Sequence, residues 1–219
     1  MNALTAQATS LPTMMNESYF DIIIKGGWIL IPIAALSLIA IFIIIERYTV
    51  LKKAGRENTE FLQEVKQHIR NGKPESAIIA CEKGGKPVGL VIGEGIRTMD
   101  FPIEDIRESM ESKSREILSS LEQRMNILSL VATIAPMLGF LGTIMGVIKI
   151  FYTISLTDNL SIGTISDGLY QKMICSAAGL LVGIVAFIGY QLLNGKIDSI
   201  ASNMEKQGNQ FLFFLKRGQ

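Results

Sequence analysis

The sequence is poor in the residues from which most catalytic and metal sites are built. It has two cysteines and one histidine in 219 residues. Cys81 and Cys175 stand in unlike surroundings at no spacing that a metal site or disulfide framework uses, so neither a metal nor a cofactor is expected. Aromatic residues make up 7% of the chain and charged residues 19%, the latter below the roughly one quarter usual in soluble domains. Apolar residues reach 48%, with a mean hydropathy of +0.35. That balance excludes an ordinary soluble domain and points to a membrane protein. The chain also lacks an excess of charge of either sign, with 21 Lys and Arg against 20 Asp and Glu. The basic footprint of a nucleic-acid binder is therefore missing, and no nucleic-acid partner is expected.

Charge is absent from three long runs: 18 residues from Trp28 to Ile45, 22 from Ile127 to Ile148 and 21 from Met173 to Leu193. A hydrocarbon core about 30 Å thick needs about 20 apolar residues in a helix. The expectation is an all-α integral membrane protein with transmembrane helices at 28–46, 127–149 and 173–193. A cleavable leader is not expected. Residues 1–24 hold no Lys or Arg ahead of the first run, which ends instead in Glu46-Arg47-Tyr48. Residues 47–124 carry 14 Lys and Arg, residues 150–171 none, and the tail carries Lys196, Lys206, Lys216 and Arg217. Positive loops stay inside. This predicts a periplasmic N-terminal segment at 1–27, a cytoplasmic helical region at 47–126, a periplasmic connection at 150–172 holding Asp158 and Asp167, and a cytoplasmic tail at 194–219.

Within 47–126, Phe61, Leu62, Val65 and Ile69 recur at helical spacing until Asn71-Gly72-Lys73-Pro74 stops them. A turn or two of helix is expected from Ser76 to Cys81, and Gly84-Gly85-Lys86-Pro87 is a second break. Beyond Pro102, Ile103, Ile106, Met110, Ile117, Leu121, Met125 and Leu128 keep the helical period with no breaker before Pro136. One uninterrupted rod running into the second span is expected, about 70 Å long at 1.5 Å per residue; such a rod needs neighbours to bury its stripe. Ile197, Ile200 and Met204 likewise carry the third helix past its span. The terminal Phe211-Leu212-Phe213-Phe214-Leu215-Lys216-Arg217 suits either packing beneath the bundle or contact with a lipid surface.

The second span presents Ser129, Thr133, Pro136, Gly139, Thr143 and Gly146 at steps of three or four, and the third presents Ser176, Gly179, Gly183, Ala186 and Tyr190. Such faces permit close helix approach. Packing alone explains small-residue spacing such as Gly142 to Gly146. Thr143 and Ser176, however, lie near corresponding ends of antiparallel helices, so their hydroxyls are expected at nearly one level, where they can hold water or bond a visiting polar group. They do not titrate near neutral pH, and the three runs hold no Asp, Glu, Lys, Arg or His. Proton carriers bury such groups, so a proton path here requires another subunit's carboxylate.

The run Ala135-Pro136-Met137-Leu138-Gly139-Phe140-Leu141-Gly142-Thr143-Ile144-Met145-Gly146-Val147-Ile148, followed by Phe151, resembles the second-span signature of the MotA/TolQ/ExbB proton-channel family. Ser176-Ala177-Ala178-Gly179-Leu180 and Tyr190 are similar to its third-span pattern. Three spans and modest length place the resemblance with the ExbB/TolQ branch. It implies a homo-oligomer, a pentamer, in the bacterial inner membrane around a dimeric ExbD/TolR-like single-span partner carrying a membrane aspartate. It implies that proton flow turns one part against the other and delivers force, through a TonB- or TolA-like periplasm-spanning protein, to an outer-membrane client. One charge falling through 100 mV releases roughly 2.3 kcal/mol, so a few protons per cycle suffice in scale.

The resemblance makes Thr143 the residue that faces the partner's aspartate and puts Ser176 where many members have threonine. With Cys175 and Thr133 these are the expected pathway or partner-facing residues. Gln171 stands where enterobacterial-type subunits have a pore-lining glutamate, and Val185 replaces a proline; the first departure weakens the case for an acidic relay in this subunit. Gln171, Lys172, Glu46 and Arg47 are candidates for the pore mouths. Lys172 is read either as an interfacial charge reaching water or as a ring of positive charge at the mouth, and Glu46-Arg47 either as a membrane edge or as a ring at the exit. Pro136 removes a backbone hydrogen bond and acts as a hinge or a static kink; Gly139, Gly142, Gly146, Gly179 and Gly183 pack helices. Pro32 is read as a kink, and Cys81 and His68 as packing or solvated residues. The contrasting function is a non-transporting membrane scaffold organising cytoplasmic partners. An enzyme is not expected, because no base and nucleophile stand together.

Overall fold

The computed structural model describes residues 28–55, 59–84, 87–157 and 162–218. The N-terminal segment 1–27, Asp158 and the side chains of Asp167 and Gln171 lie outside the described residues, as do the expectations that fall on them. Seven helices and no strands occur among the described residues: α1 (Leu30–Ala54), α2 (Thr59–Arg70), α3 (Pro74–Gly84), α4 (Pro87–Arg97), α5 (Ile103–Glu122), α6 (Met125–Thr157) and α7 (Ile162–Gly218). α1, α6 and α7 are long and apolar enough to cross a membrane. Only 22%, 28% and 22% of their most apolar windows are buried within the chain. The outward faces, with Phe42, Phe140, Phe151, Leu181 and Phe187 exposed, are therefore left for lipid or for other chains.

The described residues form two compact units: one within 28–35 and 135–181, the other within 36–134 and 182–218. In the second unit α2 packs on α3, α3 on α4 and α4 on α5. Their shared core includes Val65, Cys81, Ile92, Ile106, Met110, Leu128, Ile197, Met204 and Phe211. α2 ends as the sequence suggests. Gly72 adopts φ +70, its N–H donates to the Ile69 carbonyl, and the Lys73 N–H donates to the His68 carbonyl, both at 3.0 Å. This paired closure needs a left-handed residue, which glycine supplies without a Cβ clash, and Pro74 then opens the next helix.

One feature runs against local propensity and another departs from the sequence expectation. α4 carries Gly89, Gly93 and Gly95 in eleven residues, a composition that argues against a helix on propensity. Packing overrides propensity here: a Cβ at Gly89 would lie 2.6 Å from the Cys81 carbonyl oxygen, so the glycine lets α4 lie against the backbone of α3. The rod expected from Pro102 through the second span is in fact two helices, broken at Gln123 and Arg124. Arg124 has φ 68, and its carbonyl accepts from the Ile127 and Leu128 N–H groups at the start of α6. Leu121, Met125 and Leu128 are all buried across the break, which explains why the apolar period conceals it.

α7 runs unbroken for 57 residues, about 85 Å at 1.5 Å per residue. Near its end Phe211 and Leu212 are buried in the core. The start of the terminal run thus packs in the core, while Phe213, Lys216 and Arg217 remain exposed.

Candidate functional site

The site is built on the contact between α6 and α7 within the first unit. Their approach is close because glycines replace side chains at the contact. A Cβ at Gly139 would lie 2.9 Å from the Cys175 carbonyl oxygen and 3.1 Å from Ser176 Cα, and one at Gly179 would lie 2.5 Å from the Ala135 carbonyl oxygen. Further along, Gly142 faces Cys175 Cβ, Gly146 lies under the methylenes of Lys172, and Gly168 meets Ile150. These pairs describe one antiparallel register in which the backbones meet directly at Gly139 and Gly179, while side chains of Cys175, Lys172 and Ile150 cover Gly142, Gly146 and Gly168.

The small and weakly polar stripe read from the sequence therefore divides in two. Gly139, Gly142, Gly146, Gly179 and Cys175 are buried at the seam. Thr143 and Ser176 are half-buried beside it, and Pro136, inside α6, is half-buried as well. Ser176 sits next to Gly139 and Cys175 next to Gly142, which brings the levels of Ser176 and Thr143 within about one helical turn of 5.4 Å. Thr143 Oγ1 donates to the Phe140 carbonyl at 2.6 Å. With its proton committed to its own helix, the hydroxyl presents acceptor lone pairs to a visitor. In the second unit, Thr133 is exposed and donates to the Ser129 carbonyl at 3.1 Å. Gly183 is buried there, as is Gly189, where a Cβ would meet Ile44.

At the Gly146 end of the seam a cavity of about 400 Å³ is lined by Trp28, Ile29, Lys149, Tyr152, Lys172 and Cys175, among others. The stem of Lys172 occupies the space a side chain at Gly146 would need. Lys172 is thus partly a packing residue that also lines the cavity.

Glu46 and Arg47 are engaged within the second unit. Arg124 Nη1 donates to both carboxylate oxygens of Glu46, at 2.6 and 2.5 Å. Arg47 is 5% exposed and donates from Nη1 to the Ser120 carbonyl at 3.4 Å. The two residues read as pore-mouth candidates thus hold the corner between α5 and α6. The sequence reading missed Arg124 and Ser120, for which neither spacing nor composition gave a signal. Cys81 is buried, and burial pushes its thiol up to about 12, so it is an inert core residue. His68 lies 3.9 Å from Glu64 on the surface of α2. No cluster of His, Cys, Asp or Glu able to hold a metal occurs among the described residues.

A sequence profile described as the MotA/TolQ/ExbB proton channel family matches residues 86–206, which include α4, α5, α6 and the part of α7 that forms the seam. The chain is 26% identical over 183 residues to a putative biopolymer transport protein ExbB homolog of Methanothermobacter thermautotrophicus, an alignment covering 83% of this chain and 64% of that protein's length. It is 23% identical over 216 residues to the Tol-Pal system protein TolQ of Haemophilus influenzae, covering 91% and 94%. Over 93 residues it is 33% identical to the biopolymer transport protein exbB1 of Vibrio cholerae, covering 42% and 41%.

Proposed function

The chain belongs to the MotA/TolQ/ExbB proton channel family, and from that premise we propose that it is the ExbB/TolQ-like subunit of a proton-driven motor in a bacterial inner membrane. In this reading several copies, five by family resemblance, surround the single spans of an ExbD/TolR-like partner. The partner's membrane aspartate carries the proton past Thr143 and Ser176. Its movement is passed to an outer-membrane system, through a TonB- or TolA-like protein where one is present. The N-terminus faces the periplasm, and the Lys- and Arg-rich helices α2 to α5 and the end of α7 lie in the cytoplasm.

One contrast carries the reading. The α6–α7 seam offers half-buried hydroxyls beside a glycine-lined contact, while the three uncharged runs hold no Asp, Glu, Lys, Arg or His. Such a surface can stabilise a proton carrier in passing but cannot itself be one.

Native mass spectrometry of the complex, purified gently from its own membranes without overproducing this chain, tests the proposal. A mass of five copies plus two of a small single-span protein with an aspartate in its span supports it. A homo-oligomer with no companion overturns it in favour of a membrane scaffold.

A further inference from the structure

We propose that the cavity between α2 and the far end of α7 binds a nucleoside polyphosphate. It lies wholly within the second unit and measures about 860 Å³, within the range of roughly 300–1,000 Å³ typical of small-molecule sites. Lys66 and Arg70 line it from α2, Phe213, Phe214 and Arg217 from α7, and the buried Ile106 from α5. Three cations share this space, and no Asp or Glu is among the residues lining it. Like charges gathered with no counterion among the described residues repel one another, and an anion reverses the sign of that interaction.

The side chains are also held in place. Lys66 Nζ lies 5.8 Å and Arg70 Cζ 5.4 Å from the centre of the Phe214 ring, an arrangement that orders both stems and leaves N–H donors for a ligand. A guanidinium pairs two phosphate oxygens at once. At the rim, Phe213 is 70% exposed, a large bare ring with no partner role in the chain's own core. Rings of this kind stack on planar bases. Phosphate alone would satisfy the cations and leave Phe213 unused; a base joined to a polyphosphate uses both. A lipid headgroup is less suited: Phe211 lies 18 residues beyond Leu193, where the third uncharged run ends, and that is about 27 Å along the helix. The proposal does not depend on the ion pathway.

Equilibrium dialysis of the intact, detergent-purified complex against radiolabelled ATP, with sodium triphosphate in parallel, tests it. Saturable ATP binding is expected, tighter than that of triphosphate. Lys66→Gln and Arg70→Gln should each weaken it about tenfold, the loss of one charge-assisted contact. Phe213→Ala, a change at an exposed position, should weaken ATP binding and leave triphosphate binding unchanged; this arm stands even where a charge variant fails to assemble. The proposal is overturned by absence of saturable ATP binding to the wild-type complex at millimolar concentration. Equal affinity for triphosphate and ATP, or ATP binding that none of the three substitutions weakens, overturns it as well.

Discussion

Arg124 and Glu46, 78 residues apart in sequence, form a two-pronged ion pair at 2.6 and 2.5 Å, and Arg124 makes it from a left-handed backbone conformation with φ 68. The pair sits where α5 gives way to α6, so one residue both turns the chain and ties the turn to α1.

That double role separates two substitutions. Arg124→Ala loses the ion pair and keeps a Cβ in the left-handed region, whereas Arg124→Gly loses the pair but relieves the backbone, a difference of about 1 kcal/mol. The glycine variant should therefore melt at the higher temperature of the two. The pair itself is partly exposed, so Glu46→Gln should cost about 1 kcal/mol or less. Thermal unfolding of the three variants in detergent checks the order; equal midpoints for the glycine and alanine variants would remove backbone strain from the account.

The α6–α7 seam predicts opposite signs for one chemical change at two glycines of α7. A methyl at Gly179 would lie 2.5 Å from the Ala135 carbonyl oxygen and 2.9 Å from Gly139 Cα. Backbone cannot swing aside, so Gly179→Ala should destabilise by about 1–3 kcal/mol. At Gly195 nothing lies within 4 Å of the added carbon. Gly195→Ala should therefore stabilise the helix, by roughly 0.5–1 kcal/mol. A Gly179→Ala variant that melts no lower than wild type would contradict the seam, and a Gly195→Ala variant that melts no higher would contradict the open space at that position.

What could be read in advance follows from how local the signal is. Uncharged runs mark the apolar helices, and Gly72 before Pro74 marks the end of α2, because each depends on residues adjacent in sequence. The break at Arg124 depends on Glu46, far away in the chain, while Leu121, Met125 and Leu128 keep their period across it. In α4 the local and long-range signals oppose each other: Gly89, Gly93 and Gly95 weaken a helix locally but admit a neighbour's backbone. At the seam, spacing drew attention to the small residues. It could not separate Gly142, in the contact, from Thr143 beside it, since adjacent residues differ by about 100° around a helix.

Cys81 gives a prediction in pH. Burial raises its thiol to about 12, above its value in an unfolded chain, so the neutral form favoured by the fold is fully stabilising below the unfolded value. That contribution is lost as pH rises from about 8.5 toward 12. Cys81→Ala should lower stability near neutrality, because the core loses volume, yet show a shallower alkaline decline than wild type. In the folded protein the thiol should resist alkylation at pH 8. Rapid labelling of Cys81 in the native complex would show that it is not buried as described.

Lys172 offers two separable contributions. Its stem fills the space over Gly146, and it lines, with Lys149, the cavity at that end of the seam. Lys172→Met keeps most of the stem and removes the charge. With packing as the main role, this variant should match wild type in stability and in ion flux, while Lys172→Ala should be the less stable. A changed pH dependence of flux in the methionine variant would show instead that the ammonium acts on passing ions.

The sharpest test of the pathway is Thr143→Val. Valine retains the branched shape but lacks the hydroxyl that donates to the Phe140 carbonyl at 2.6 Å. Losing that bond within one helix costs about 1 kcal/mol, too little to prevent assembly. If the hydroxyl's lone pairs stabilise a proton carrier in passing, the variant should form the same complex and lose proton flux by about tenfold or more, equivalent to 1.4 kcal/mol in the barrier. Thr143→Ser, which keeps the hydroxyl, should retain most of the flux. Proteoliposomes containing the full complex and a pH-sensitive dye give the measurement, and native mass spectrometry of the same samples verifies assembly. Full flux in the valine variant would leave Thr143 as a packing residue beside the seam and move the pathway to Ser176 or to the partner alone.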